Sequence, residues 1–219
     1  MRMKSKKLQE SFYLKKLKWE RRLWKKGTKL IAGIDEAGRG PLAGPVVAAA
    51  VIFSEKIKPF ELNDSKKLSP CQREKLYELI WDQAIAVGIG YSNEKIIDEI
   101  NILQATYRAM REAVVSLPII PDYILVDGRE IPDLNIQQTA IVKGDGKCFS
   151  IAAASIIAKV TRDRLMIEYD LKYPDYNFAR HKGYPTKKHI QAILKYGMCP
   201  IHRTSFKIKN KERYGKIIT

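Results

Sequence analysis

Short apolar runs alternate with helical patterns along most of this chain. Residues 30–34 and 46–53 are almost entirely apolar and flank a glycine-rich segment, which predicts two strands of a largely buried sheet. Residues 85–91, 123–126 and 139–142 are further apolar runs of strand length. Strands that alternate with helical segments are typical of an α/β fold, which is the fold class we expect.

Helical patterns occupy the intervals between these runs. Ser69 is followed by Pro70, and a capping hydroxyl before proline favours a helix start, so a helix is predicted to about residue 84. Ser92 is expected to cap a short helix, and residues 102–117 predict another that ends before a proline. The alanine-rich stretch from Ser150 predicts a helix to about residue 169 that packs closely into the core.

The N-terminal segment combines apolar and basic residues. Residues 7–26 place Leu8, Leu17 and Trp24 among many lysines, which predicts a basic amphipathic helix. We expect residues 1–28 to form a helical extension of the main body. Two roles stay open for this helix: it packs on the body, or it contacts nucleic acid.

The charged residues are unevenly distributed along the chain. The 219 residues carry a formal net charge of +16, yet residues 30–178 hold 17 basic and 21 acidic residues. Residues 1–29 and 179–219 each carry a net charge of +10. Basic flanks around a mildly acidic centre suit a protein that grips a polyanion and processes it at a carboxylate site. Solvated basic tails are the alternative.

Cysteine usage and hydropathy bear on the compartment. The three cysteines are far apart and lack metal-ligand spacing, which indicates a reducing compartment, so we expect a cytoplasmic protein. No apolar run has the length of a signal-peptide core or approaches the roughly 18 residues of a membrane span. We therefore expect no membrane partner.

Acidic residues recur where predicted strands end. Asp35 and Glu36 follow the first strand, Asp127 follows a later one, and Asp145 follows the last. Taken singly, Asp127 and Asp145 fit ordinary turns, because each precedes a glycine. Taken together they are more informative, because the ends of neighbouring strands in an α/β sheet converge on one crevice.

Four carboxylates in one crevice repel one another unless cations neutralise them. Ligand sets made only of oxygen favour Mg²⁺ or Mn²⁺. A basic protein with such a cluster is, as a hypothesis, a two-metal nuclease.

The motifs of this chain resemble those of bacterial ribonuclease HII. Residues 33–46 read GIDEAGRGPLAGPV and carry most of the resemblance. The remaining matches follow in the family's order: DSKKL at 64–68, VDG at 126–128, KGD at 143–145, the helix 150–159 with VTRDR at 160–164, and HKGYPT at 181–186.

The resemblance implies a ribonuclease H-like core, in which helices flank a mixed five-stranded sheet. Residues 29–219 would form this catalytic domain, with a helical substrate-binding region from about residue 171. The family's four acidic, metal-binding positions fall on Asp35, Glu36, Asp127 and Asp145. Arg39, an aspartate at 145 and a short N-terminal segment point to the HII branch rather than to ribonuclease HIII.

The resemblance also implies substrate contacts. Gly38, Arg39 and Gly40 would approach the 2′-hydroxyl, and Tyr184 would pack on the sugar beside the scissile phosphate. Ser65 and Lys66 are candidates for phosphate contacts, or simply solvated residues.

The expected activity is cleavage of the RNA strand of RNA/DNA hybrids and nicking 5′ of ribonucleotides embedded in duplex DNA. Mg²⁺ or Mn²⁺ is the expected cofactor, and nucleic acid the expected partner of a monomer. A noncatalytic hybrid-binding protein and another nuclease of the same fold are the alternatives.

Overall fold

Five strands form one mixed sheet in the computed structural model, which describes residues 15–58, 60, 62 and 68–207. The sheet order is β3-β2-β1-β4-β5. The central strand β1 is antiparallel to β2 and parallel to β4. The strands are β1 (Ile31–Ala37), β2 (Val46–Ile52), β3 (Ala86–Ser92), β4 (Tyr123–Asp127) and β5 (Gln138–Ile141).

Helices cover both faces of this sheet. A long helix packs on each face, and the expected α/β ribonuclease H-like fold is confirmed. None of the helices among the described residues is long and apolar enough to span a bilayer. The helices are α1 (Lys18–Trp24), α2 (Pro70–Gln83), α3 (Glu94–Val115), α4 (Phe149–Lys172), α5 (Phe178–His181) and α6 (Lys187–Tyr196), with 3₁₀ turns at Gly144–Gly146 and Pro174–Tyr176.

Local signals account for several of these boundaries. Ser69 and Gln72 form a reciprocal capping box at the start of α2, with Pro70 as its first residue, as predicted. The expected cap at Ser92 is wrong, because this buried hydroxyl donates to the carbonyl of Ala105. Asn93 caps α3 instead, accepting from the Ile96 N–H at 3.0 Å.

The break expected before residue 102 is present as a kink within α3. Asn101 has a φ of +67°, outside helical geometry. Its side-chain Oδ1 accepts from the backbone N–H groups of Leu103 and Gln104, which starts the helix again.

The first strand extends further than predicted. It continues through Asp35 and Glu36 to Ala37, because the ladder with β2 still pairs Glu36 with Ala48 and Ala37 with Val47. The two acids therefore belong to a paired strand and do not follow it. Their backbones are fixed by sheet hydrogen bonds, which limits how far the carboxylates can separate.

The C-terminal part packs beside α4 through its own small core. Tyr176, Phe178 and Ile193 are buried there together with Leu42 and Met166. This packing attaches the segment after α4 to the glycine-rich loop between β1 and β2. The predicted C-terminal region is therefore helical in α5 and α6, and its residues beyond 207 lie outside the described part.

The N-terminal helix packs on the body. Leu17 and Trp24 are buried in the core on the α4 side of the sheet. Packing, one of the two roles predicted for this segment, is thus present in α1. Residues 7–14 of the predicted helix lie outside the described residues.

Gly33 sets how closely α4 approaches the sheet. A Cβ at Gly33 would lie 2.2 Å from the carbonyl carbon of Ser150 and 2.3 Å from the Ile151 nitrogen. Both atoms belong to backbone, which cannot move aside as a flexible side chain would. Because Gly33 has no side chain, the first turn of α4 can contact β1 directly.

We predict that Gly33→Ala lowers the free energy of unfolding by about 2–3 kcal/mol, as overpacking against fixed backbone does. Urea denaturation of the purified variant measures the change. Gly146→Ala is the matched control, because a Cβ there meets no atom within 4 Å. Equal midpoints for wild type and Gly33→Ala would contradict the close contact between β1 and α4.

Candidate active site

Asp35 lies on the face of β1 that packs against α4. Only 5% of the residue is exposed. Its Oδ1 accepts a hydrogen bond from the Glu36 N–H at 2.7 Å, and the Ser155 hydroxyl on α4 also bonds the carboxylate. Asp35 is therefore a deeply placed carboxylate with a fixed orientation.

Glu36 follows Asp35 on β1 and pairs with Arg39. Glu36 Oε1 lies 3.2 Å from the Arg39 guanidinium. The Glu36 side chain is 14% exposed and that of Arg39 is 50% exposed. The arginine thus partly neutralises an acid at the edge of the sheet while remaining accessible to solvent.

Asp127 ends β4, the strand that runs parallel to β1. The register pairs Ile34 with Val126, so each strand delivers its acid to the same edge of the sheet. The Gly144 N–H donates to Asp127 Oδ1 at 2.6 Å. The turn after β5 therefore holds the Asp127 carboxylate.

Asp145 lies in the 3₁₀ turn next to Gly144. Its Oδ1 accepts from the Gly146 N–H at 2.8 Å, and its carbonyl accepts from Lys16 Nζ at 3.1 Å. The structure thus brings Asp35, Glu36 and Asp127 together. It places Asp145 beside them on the neighbouring turn, and no described hydrogen bond joins its carboxylate to theirs.

Burial and mutual repulsion change the acidity of this group. Desolvation raises the pKa of Asp35 well above its usual value, and the negative charges of Glu36 and Asp127 raise it further. Burial also raises the pKa of Glu36, although Arg39 opposes the shift. These shifts indicate that ionising the carboxylates together costs free energy. A bound cation lowers that cost.

One cleft of about 230 Å³ opens over these acids. A second groove, of about 480 Å³, continues from Glu36, Arg39 and Asp127 towards α3. The acids therefore stand at the junction of two surface grooves. The smaller cleft is lined by Asp35, Glu36, Ala37, Gly38, Arg39, Gly40, Asp127, Ser155, Lys159 and Tyr184.

The loop after β1 has a conformation that needs glycine. Gly38 adopts a φ of +99°, in the left-handed region, and a Cβ there would lie 2.1 Å from Arg162 Nε. Gly40 is exposed and faces the ring of Tyr184, whose Cε1 would lie 3.8 Å from an added Cβ. The predicted substrate residues Gly38, Arg39, Gly40 and Tyr184 are thus brought to one wall of the cleft.

Arg203 holds this loop from behind. It is fully buried, and its guanidinium donates to the carbonyls of Gly38, Arg39, Pro41 and Gly44 at 2.6–3.1 Å. Burial lowers the pKa of Arg203 to about 9, which still leaves it cationic at neutral pH. Sequence reasoning missed this residue, because no local pattern marks an arginine that binds distant carbonyls.

Arg162 on α4 makes the corresponding link to the tyrosine segment. Its guanidinium donates to the carbonyls of Ala43, Pro45 and Lys182. All these acceptors are backbone carbonyls, although Asp163 is the next residue in the chain. Because Lys182 precedes Tyr184 by two residues, Arg162 fixes the glycine loop and the tyrosine segment relative to each other.

Lys159 is a cleft residue that the sequence did not single out. Its ammonium group pairs with Asp163 at 2.6 Å on the next turn of α4. Burial lowers the pKa of Lys159, and Asp163 opposes the shift. In the sequence, a lysine four residues before an aspartate resembles an ordinary exposed ion pair of a helix. The fold places Lys159 in the same cleft as Asp35, Glu36 and Asp127.

Other candidates lie away from the cleft or outside the described residues. Arg164 pairs with Glu74 and Glu78 on α2 and stacks over Tyr77. Ser65 and Lys66 fall outside the described residues. The three histidines form a buried stack in the C-terminal core, with His189 Nε2 and His202 Nε2 3.0 Å apart beside His181.

A family model described as Ribonuclease HII matches residues 32–209 of this chain. The chain belongs to the ribonuclease HII family. Ribonuclease HII of Acetivibrio thermocellus is 62% identical over 194 residues, covering 89% of this chain and 76% of that protein. Ribonuclease HII of Clostridioides difficile is 58% identical over 185 residues, covering 84% and 72%.

The same family appears among solved structures. The crystal structure of ribonuclease H2 from Pyrococcus horikoshii OT3 aligns with a TM-score of 0.69 and 32% identity, covering 85% of this chain and 99% of that one. The resemblance inferred from the motifs is therefore confirmed. As a ribonuclease HII the chain is a type 2 ribonuclease H. Its membership of this family indicates endonuclease activity on RNA/DNA hybrids.

Ribonucleases H depend on divalent metal ions, and the acids of this cleft fit that requirement. Asp35, Glu36 and Asp127 offer oxygen ligands only, the donor type that Mg²⁺ and Mn²⁺ prefer. Burial, with a smaller contribution from repulsion between the acids, raises the pKa values of Asp35 and Glu36, and a bound cation would favour their ionised forms. Their donor type fits a metal ion, but among the described residues these acids are not already arranged as a group of three that could hold one.

We predict that Asp35→Asn stabilises the metal-free protein at pH 8. The raised pKa means that the folded state holds its proton at pH values where the unfolded chain has lost it. Wild-type stability should therefore fall as pH rises through this window, and stay low above the folded pKa. The variant avoids this cost, which is about 1.4 kcal/mol for each pKa unit removed.

Thermal unfolding in EDTA between pH 4 and pH 8 measures the difference, which should vanish at the acidic end. Asp122→Asn is a control of opposite sign. The backbone N–H groups of Leu30 and Lys29 lower the pKa of Asp122, so its loss should destabilise the protein at pH 8. A destabilised Asp35→Asn at pH 8 would contradict the repulsion inferred for the cleft.

Proposed function

We propose that this ribonuclease HII nicks duplex DNA on the 5′ side of a single embedded ribonucleotide, as well as cutting the RNA strand of hybrids. The products would carry a 5′-phosphate and a 3′-hydroxyl. One observation carries the proposal: the acids Asp35, Glu36 and Asp127 share a single cleft with the Gly38–Gly40 loop and Tyr184. A cutting site and a sugar-reading wall would then act on adjacent nucleotides.

The glycine loop supports recognition of the 2′-hydroxyl, the group that distinguishes RNA from DNA. Gly40 carries no side chain and is exposed at the cleft, so a ribose can approach the backbone closely. Arg203 occupies the loop's carbonyls from the buried side, which fixes the exposed edge. A rigid backbone edge rejects a deoxyribose more effectively than a mobile loop, because its polar groups would be left unpaired.

Tyr184 supports recognition of the nucleotide on the other side of the cut. Its side chain is exposed beside Gly40, while its carbonyl bonds His189 Nδ1 at 2.9 Å in the buried histidine stack. The ring is thus presented to the cleft from an anchored backbone. An aromatic ring so placed can pack on a sugar and favour one junction geometry.

Asp35, Glu36 and Asp127 would hold the metal ions, with Asp145 completing the set from the adjacent turn. When bound, two divalent ions supply an activated water and stabilise the leaving 3′ oxygen. The protein's own contribution is to fix the acids on paired strands and to place the cationic Lys159 and Arg39 beside the phosphate path. The three free cysteines suit the reducing cytoplasm, where we place the protein as a monomer.

The deciding assay uses a labelled DNA duplex with one ribonucleotide, incubated with the protein and Mg²⁺ or Mn²⁺. We expect one nick 5′ to the ribonucleotide, and no cut in an all-DNA duplex or in EDTA. Asp127→Asn should reduce turnover at least a hundredfold while duplex binding stays within about threefold. Tight binding without any metal-dependent nick would assign a noncatalytic role, and cutting of all-DNA would assign a different nuclease activity.

We predict that Tyr184→Ala lowers kcat/KM on the single-ribonucleotide duplex by on the order of tenfold, equivalent to about 1.4 kcal/mol of lost transition-state contact. Its effect on a long hybrid should be smaller, because many equivalent registers are available there. Tyr91→Ala removes another exposed tyrosine, on β3, which is 56% exposed against 43% for Tyr184, and should leave both rates unchanged. Equal losses on both substrates with Tyr184→Ala would contradict junction reading.

A further inference from the structure

The N-terminal helical segment exposes only basic residues on its outer side. Across residues 15–26, all six exposed residues are basic, and the one acid, Glu20, is turned inwards at 1% exposure. None of the six forms an ion pair with a described residue. We call them the basic face: Lys15, Lys18, Arg21, Arg22, Lys25 and Lys26.

The inner face of the same segment is firmly attached. Glu20 Oε1 accepts from the Ser150 N–H at 2.8 Å, from the Ser150 hydroxyl at 2.9 Å and from the Cys148 thiol at 3.0 Å. A buried carboxylate thus binds the start of α4, where the helix dipole favours negative charge. Leu17 and Trp24 lie in the core, so this segment has no apolar face left for a membrane.

The basic face adjoins the acid site. Lys16, 4% exposed, donates to the carbonyls of Asp145 and Leu62 at 3.1 and 2.7 Å, which ties the segment to the turn beside Asp127. A groove of about 300 Å³ between the segment and that turn is lined by Lys15, Lys18, Trp19, Gly146 and Lys147. Positive charge therefore continues from the edge of the site along the outer side of the helix.

We propose that the basic face binds the phosphate backbone of the substrate duplex beyond the Asp145 side of the cut. The helical part of this segment, α1, spans about 10 Å at the helical rise, which matches about three nucleotide steps of one strand. Cations that form no ion pair with any described residue, on an anchored surface, suit a polyanion that runs past the cleft. Phosphate contacts of this kind position a duplex without reading its sequence. The inference rests on the proposed function only for the identity of the duplex.

The test removes charge from the basic face of the full-length protein. The variant Lys18→Gln, Arg21→Gln, Arg22→Gln and Lys25→Gln keeps good helix formers at exposed positions. Its matched control removes four exposed charges that line neither groove at the acids: Lys56→Gln, Lys95→Gln, Arg108→Gln and Lys172→Gln. Binding of a fluorescent all-DNA duplex in EDTA, from 50 to 300 mM NaCl, reports affinity without cleavage.

We expect the basic-face variant to bind at least tenfold more weakly at 100 mM NaCl. Its slope of log K against log salt concentration should be shallower by about two to four, since each lost phosphate contact removes about 0.9. The position of the nick and kcat at saturating substrate should not change, whereas KM should rise. The control variant should change the slope by less than one.

Equal slopes for the two variants would overturn the proposal. The proposal would also fail if the basic-face variant lost binding to phosphatidylserine vesicles but kept its binding to the duplex. If the fourfold variant unfolds, Arg22→Gln alone should change the slope by about 0.9, whereas Lys95→Gln alone should leave the slope unchanged. The measurement is independent of catalysis. A protein that binds as expected but never nicks would contradict the proposed function and leave the basic face in place.

Discussion

The carboxylates of Asp35, Glu36 and Asp127 are held in one cleft against their own repulsion. Parallel pairing of β1 with β4 forces this proximity, because it delivers the acids of both strands to the same edge of the sheet. Burial under α4 then raises the free energy of ionising Asp35. Backbone pairing in the sheet fixes the positions of these acids, and a bound divalent cation would favour their ionised forms.

A second layer of buried charge organises the wall that faces these acids. Arg203 and Arg162 are cations whose partners are mostly backbone carbonyls of the glycine loop and the tyrosine segment. Each carbonyl that accepts a hydrogen bond from a buried arginine restrains the backbone on the solvent-exposed side of the loop. The site therefore combines carboxylates fixed by strands with a glycine-rich loop fixed by arginines, and the two meet at Glu36 and Arg39.

Sequence patterns predicted the parts of this site that have local signatures. Strand-ending acids and a glycine loop identified Asp35, Glu36, Asp127 and the Gly38–Gly40 segment, because strand pairing and positive φ constrain residue type locally. The motif also singled out Asp145, and its turn lies beside Asp127. Arg203 and Glu20 escaped prediction, since their partners lie on other elements. Lys159 escaped it because its pairing with Asp163 at helical spacing looks like an ordinary surface ion pair. Only the fold distinguishes such charged groups from solvated ones.

The most direct test of the account is to locate Mn²⁺ by its anomalous scattering, in crystals of the protein with a duplex whose scissile linkage cannot be hydrolysed. We expect Mn²⁺ to be bound by the carboxylates of Asp35, Glu36 and Asp127, next to the scissile phosphate. Manganese bound elsewhere, or no manganese at these acids when the duplex occupies the cleft, would contradict the claim that a divalent cation balances their repulsion.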